Sequence, residues 1–213
     1  MRLSDEFRRS LATAAGGYQN TLAFHQPGSP ALSYLLGRGI DEEVIAAYRL
    51  GVVDGTIPEH ASYQGWICIP YLTRLGGVVS LKFRRLSGDG SKYISPYPTR
   101  IYNTMALDQA ERLGYVAICE GEFDAIVLDG LCGIPAVAIP GVETWKAHPE
   151  WVELFRGFQR VMIFADQDEP GQDMAKRILR ELDTAELVSL PAKDVNESYL
   201  AVGADKIREM AGV

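Results

Sequence analysis

Cysteine is scarce in this chain, and paired cysteine is absent. Cys68, Cys119 and Cys132 stand apart inside apolar stretches, and no two are spaced C-x-x-C. A zinc ribbon needs paired thiolates, so no zinc site is expected in this chain. The isolation of the three points instead to buried free thiols and to a reducing, cytoplasmic setting. Long apolar runs are missing too. Nothing approaches the about 18 residues that suggest a membrane span, and no charged-then-apolar leader opens the sequence, so no membrane is expected among the partners. Positive charge is in deficit: 21 Lys and Arg face 28 Asp and Glu, a net charge of −7. A surface of that sign argues against non-specific duplex binding by the whole molecule. Repeats, low-complexity tracts and long linkers are absent as well.

The charge that is present is unevenly spread. From Tyr71 to Leu107, six basic residues (Arg74, Lys82, Arg84, Arg85, Lys92 and Arg100) face one acid, Asp89, a local +5. Against this stand two acidic motifs, each directly after an apolar run. The first reads Tyr115-Val-Ala-Ile-Cys-Glu120-Gly121-Glu-Phe-Asp124, the second Val161-Met-Ile-Phe-Ala-Asp166-Gln-Asp168-Glu-Pro-Gly171. Short apolar runs ending in turns read as buried parallel strands. Carboxylates just past the carboxyl ends of such strands lie where open α/β sheets bind ligands. If the two strands are neighbours, Glu120, Asp166 and Asp168 converge, and three oxygen donors suit Mg²⁺ or Mn²⁺ rather than zinc. Basic residues beside such a site suit a polyanion handled with a metal.

Taken in order, Ser4 to Ala15 is expected as an amphipathic helix with Leu3, Phe7 and Leu11 on one face, stopped by Gly16-Gly17 and followed by a loop over 18–29. Pro30 to Leu36 starts a second helix. Asp41 is the expected N-cap of a third, running through Tyr48. Gly65–Leu72 and Gly77–Arg84 read as a hairpin, with a further turn at Gly88-Asp89-Gly90 leading into Lys92-Tyr93-Ile94. Period two puts Ser80, Lys82 and Arg84 on one strand face. From 115 the pattern becomes β and α in alternation: strands at 115–119, 136–139, 161–165 and 185–190, and helices at 122–130, around 145–155 and at 170–182. This predicts a central, mainly parallel four-stranded sheet with right-handed crossovers. The fold class expected is α+β. A mixed helical and antiparallel β basic part (1–113) precedes an α/β part (114–213), with the seam at Gly114. Pro191-Ala-Lys193-Asp194-Val-Asn196-Glu197 follows the fourth strand, so Asp194 is expected at the same sheet edge, as a helix cap, a metal neighbour or both.

Glu120-Gly121-x-x-Asp124 followed by Asp166-x-Asp168-x-x-Gly171 resembles the Toprim signature. The hairpin into Phe83-Arg84, then Lys92-Tyr93, then Ile101-Tyr102-Asn103 and the helix at 106–113 resembles the segment before Toprim in DNA primases of the DnaG or phage type. The stretch around Lys193-Asp194 resembles the Lys-Asp-x-Asn-Glu variant of phage-type primases. The resemblance spans roughly residues 30–200 and implies an RNA-primer-synthesising nucleotidyltransferase acting on single-stranded DNA with ribonucleoside triphosphates. In that chemistry a 3′-hydroxyl attacks an α-phosphate and pyrophosphate leaves. Glu120, Asp166 and Asp168 are then the catalytic residues. Glu120, Asp124, Asp166, Asp168 and Asp194 are the candidate ligands of two or more Mg²⁺ or Mn²⁺ ions, with Asp124 either a ligand or a neighbour of one. Arg84, Lys92 and, less directly, Lys82 fall on the family's basic positions for template and nucleotide. Full primases also carry an N-terminal zinc-binding domain and often a helicase part. The resemblance therefore implies that a zinc ribbon is supplied in trans by another protein or is dispensed with, and makes a replicative helicase a candidate partner, in the host cytoplasm if the source is a phage. Two alternatives remain open at this point: a Toprim nuclease, and a non-catalytic Toprim scaffold in replication or recombination.

Overall fold

In the computed structural model, which describes residues 4–24 and 28–213, the Ser4 side chain accepts the Phe7 N–H and opens α1 (Asp5–Ala23). The helix runs through Gly16-Gly17, where the sequence predicts a stop and a loop. The cause is tertiary. Tyr18 and Leu22 continue the buried stripe of Leu11, Ala14 and Ala15, and β1 (Gly51–Val52) lies so close that a Cβ on Gly51 would meet the Tyr18 carbonyl carbon at 2.5 Å. Burying that stripe outweighs the roughly 1 kcal/mol that each helical glycine costs. Leu3, expected on the same face, and residues 25–27 lie outside the described residues. Ser29 caps α2 (Pro30–Gly37), with Pro30 in its first turn. Asp41 caps α3 (Glu42–Ala47) as expected, accepting the Val44 N–H at 2.9 Å.

The first sheet is antiparallel in the order β1-β2-β3-β4, with β2 (Ile67–Leu72), β3 (Val78–Arg84) and β4 (Tyr93–Ile94). Its core joins Leu11, Ala14 and Tyr18 of α1 to Cys68, Leu81 and Phe83. A 3₁₀ turn at Pro58–Tyr63 brings His60 into this core. The buried imidazole bonds Tyr18 Oη through Nδ1 at 2.8 Å and Tyr97 Oη through Nε2 at 2.6 Å, which satisfies both ring nitrogens.

The second sheet is parallel throughout, in the order β6-β5-β7-β8, with β5 (Tyr115–Cys119), β6 (Ala136–Ala138), β7 (Arg160–Phe164) and β8 (Ala185–Leu187). The helices of this part are α4 (Ala106–Leu113), α5 (Glu122–Ile126), α6 (Val142–Ala147), α7 (Glu150–Arg156), α8 (Glu169–Glu181) and α9 (Val195–Ala211). The helix predicted around 145–155 is in fact two. His148 leaves the helical region (φ −128°, ψ 65°) and Pro149 opens α7, because a residue before proline is pushed out of the α region. The helix predicted over 122–130 loosens after Ile126 into a π turn, Val127–Leu131, closed by Cys132 N–H to Val127 O at 3.0 Å.

Two compact units divide between Arg100 and Ile101. The seam predicted at Gly114 falls within the second unit, since Ile101, Leu107 and Ala110 are buried in that unit's core and Tyr102 bridges Ala138. Gly114 instead ends α4 in a left-handed conformation (φ 80°), which glycine adopts without a Cβ clash. All three cysteines are buried and unpaired. Among the described residues no helix is long and apolar enough to cross a membrane.

Candidate functional site

β5 and β7 are adjacent and in register, Cys119 opposite Phe164. The residues that follow these two strand ends therefore emerge side by side. Glu120, Asp166 and Asp168 each present a carboxylate oxygen within 4.8 Å of the others; the first two are half-buried and Asp168 is exposed. Local contacts hold them there. Asp168 Oδ1 accepts the Gly171 N–H at 3.0 Å and so caps α8. Gln172 Nε2 donates to the Asp166 carbonyl at 3.1 Å, and Gln167 N–H donates to the Lys193 carbonyl at 2.9 Å. Gly141, at φ 81° in the turn before α6, passes beside Glu120.

Asp166 is the strained member. Its carboxyl is pushed up to about 6, first by burial and then by the negative charges of Asp194 and Asp168, with Lys193 opposing. Asp194 and Asp124 lie outside the three-acid group. Asp194 caps α9, accepting the Glu197 N–H at 2.8 Å, and acts on Asp166 through its charge. Asp124 is buried and turns toward α9, where its Oδ1 accepts the Asn196 N–H at 3.0 Å. Its Oδ2 lies so close to Gly121 that a Cβ there would meet it at 2.5 Å. Sequence spacing alone could not show this, because the partner lies 72 residues away. The three-acid set is all oxygen, with neither imidazole nor thiolate, so it fits a hard divalent cation. The raised Asp166 carboxyl reflects burial first and neighbouring negative charge second, and a bound cation would favour its charged form against both.

The first unit carries the basic residues. β3 and β4 pair Arg84 directly with Tyr93, and Arg84 Cζ lies 4.7 Å from the Tyr93 ring centroid. Lys82, two residues earlier on the same face, places Nζ 4.9 Å from that ring. Tyr34 on α2 adds a second ring, 5.4 Å from Arg84 Cζ and 5.0 Å from Arg38 Cζ. The result is an alternation of cations and aromatics: Arg38, Tyr34, Arg84, Tyr93, Lys82. Lys92 is exposed just before β4 and is not part of this row. Arg85 points its guanidinium at the Asp89 and Ser91 carbonyls and at Trp66, so it holds the 88–91 turn. The Tyr34-x-x-x-Arg38 spacing was a readable helical pair. Its approach to Arg84 was not, across 50 residues.

The sequence matches the Toprim-like family over residues 117–199. The Gene 57 protein of Mycobacterium phage D29 is 40% identical over 154 residues, covering 69% of this chain and 98% of that protein. The DNA primase of Deinococcus radiodurans is 28% identical over 228 positions, covering 87% of this chain but 40% of the primase. The RNA polymerase domain of Mycobacterium tuberculosis primase DnaG, solved with a double-stranded DNA oligomer bearing a 6-nucleotide overhang, superposes with a TM-score of 0.79 at 18% identity, over all of this chain and 81% of that one. The chain thus belongs to one family with the phage Gene 57 protein, carries a Toprim-like domain over 117–199, and has the fold of the DnaG primase catalytic core.

Proposed function

We propose that the chain is the catalytic core of a DNA primase, joining ribonucleotides into short RNA primers on single-stranded DNA with Mg²⁺ or Mn²⁺. The observation that carries this is the convergence of Glu120, Asp166 and Asp168 at the ends of adjacent parallel strands, in a fold shared with primase cores. A divalent cation, when bound, neutralises charge on the phosphates and lowers the pKa of an attacking hydroxyl. Asp166 and Asp168 hold it, and Glu120 adds an oxygen or accepts the proton of the 3′-hydroxyl. Asp194 adds negative potential beside Asp166. Asp124 keeps the Glu120 turn fixed against α9.

Arg84 and Lys82, stacked on Tyr93, and the exposed Lys92 serve phosphates of the template strand and of the ribonucleoside triphosphates. The single-stranded overhang in the complex of the M. tuberculosis domain supports such a template. A zinc-ribbon protein acting in trans is a candidate partner for initiation on this reading. A replicative helicase is the further candidate partner, and the cytoplasm, that of the host if the source is a phage, the setting.

The test follows labelled ribonucleotides on single-stranded DNA, with and without a supplied dinucleotide. Metal-dependent extension of the dinucleotide, with weak synthesis in its absence, is expected. Strand cleavage without polymerisation would replace this reading with a nuclease. Metal binding with neither activity would replace it with a scaffold.

A further inference from the structure

Arg84 is a long side chain on an open strand face, yet it is fixed on three sides. Its Nε donates to Tyr34 Oη at 3.1 Å, the one hydrogen bond of its side chain among the described residues. Its guanidinium also lies against the Tyr93 and Tyr34 rings. Its Nη1 is shielded from solvent and has no acceptor. Removing the Tyr34 hydroxyl therefore leaves no other hydrogen bond to hold the guanidinium in place. Tyr34 comes from α2, a helix that otherwise has no link to the strand face in the sequence pattern. Its ring also meets Arg38, one helical turn on, so a single tyrosine touches two guanidinium groups.

Like charges left to themselves would swing apart into water. Both are instead seated on the negative face or the hydroxyl of one aromatic ring. An arginine ordered before binding loses less rotamer freedom on binding, which lowers the cost of its contact with phosphate.

From this we propose that Tyr34 is a positioning residue for nucleic-acid binding. It fixes the Arg84 guanidinium through its hydroxyl and spaces it from Arg38 through its ring, without itself needing to touch the ligand. This rests on the reading of the Arg84 face as phosphate-binding. It adds a residue whose hydrogen bond to Arg84 rests on one oxygen.

Tyr34→Phe removes that oxygen and keeps the ring. In the free protein, the Arg84 Nε–H resonance, sharp and slowly exchanging in the wild type, should move to the free-arginine position in Tyr34→Phe. Affinity for an oligothymidylate should fall roughly two- to tenfold, the range for freeing one long side chain. In an Arg84→Ala background the same change should have no effect on affinity. A purely structural role would lower affinity equally in both backgrounds, and that result overturns the proposal. So does an unchanged Arg84 Nε–H signal in Tyr34→Phe. If Arg84→Ala weakens binding while Tyr34→Phe does not, the positioning role alone fails. If Arg84→Ala leaves affinity unchanged, the phosphate-binding face fails and takes the proposal with it.

Discussion

A Cβ placed on Gly171 would lie 2.6 Å from the carbonyl oxygen of Asp166 and 2.9 Å from its Cβ. The first turn of α8 therefore rests directly on the residue at the centre of the acid cluster. Gly171→Ala must part the two, although φ at Gly171 demands no glycine. Overpacking of this kind costs about 1–3 kcal/mol. The variant should melt lower and bind Mg²⁺ more weakly, by calorimetry. An unchanged melting point with unchanged affinity would mean that α8 yields freely there.

Asp166→Asn removes a crowded charge. A carboxyl whose folded pKa is raised binds its proton more tightly in the folded chain. Its contribution to stability therefore falls as pH rises from the ordinary carboxylate range through about 6. In chelator at pH 7 the variant should melt above the wild type. Mg²⁺ should raise the melting point of the wild type only. Primer synthesis should drop roughly a hundredfold or more, as several kcal/mol of charge neutralisation are lost. A variant that still gains stability from Mg²⁺ would remove Asp166 from the ligand set.

Asp168 has two duties that substitution can separate. Asp168→Asn keeps a good cap for α8 while deleting the charge, so stability should hold and metal-dependent synthesis should fail. Asp168→Ala loses the cap as well and should cost about 1 kcal/mol more in denaturant unfolding. Equal stability of the two variants would show that the bond to Gly171 N–H contributes nothing.

His60 supplies a pH dependence in the first unit. Burial holds its pKa below the ordinary histidine value, so between the two values the unfolded chain binds the extra proton. The stabilisation is complete above about pH 6.5 and is lost as pH falls below it. Denaturant midpoints of the wild type should fall more steeply from pH 7 to pH 5 than those of His60→Gln. Parallel slopes would dismiss the histidine as the cause.

Gly16→Ala and Gly17→Ala probe the helix that the sequence predicted to end there. Both glycines are exposed, have helical geometry, and would place a Cβ in open space. Each should stabilise the fold by about 0.5–1 kcal/mol, read as a rise in melting temperature. A loss in either would mean that α1 does not run through 16–17 in solution.

Much of the acid site was legible because it depends on short-range pattern. Apolar runs ending in Glu120 and in Asp166-Gln-Asp168 can hardly be other than buried strands with exposed ends, and adjacent pairing of β5 and β7 then brings the acids together. Helix limits were legible only where the chain itself sets them. Asp41 and Asp194 capped as read. Pro149 splits the single helix expected around 145–155, a break that the preference of residues before proline explains. Gly16-Gly17 misled because a helix can be carried across two glycines by a buried stripe whose partner, β1, lies some thirty residues on (~30 by chain position). Asp124 and Tyr34 were illegible for the same reason. Asp124 and Tyr34 take their roles from Asn196 and Arg84, and no local spacing encodes either meeting.

The cap made by Asp168 narrows what can ever stand at that position. The end of α8 asks for a short side chain whose oxygen reaches the N–H of Gly171. A divalent cation is held more tightly by an oxygen that carries negative charge than by a neutral one. Asparagine, serine and threonine answer the first demand and not the second. Glutamate answers the second, with a side chain too long for the first. On the metal-binding reading only aspartate meets both, so that reading predicts that Asp168→Asn, Asp168→Ser and Asp168→Glu each lose one of the two functions. A relative that keeps its fold but has given up a bound ion should show the difference here first, as asparagine or serine in place of aspartate.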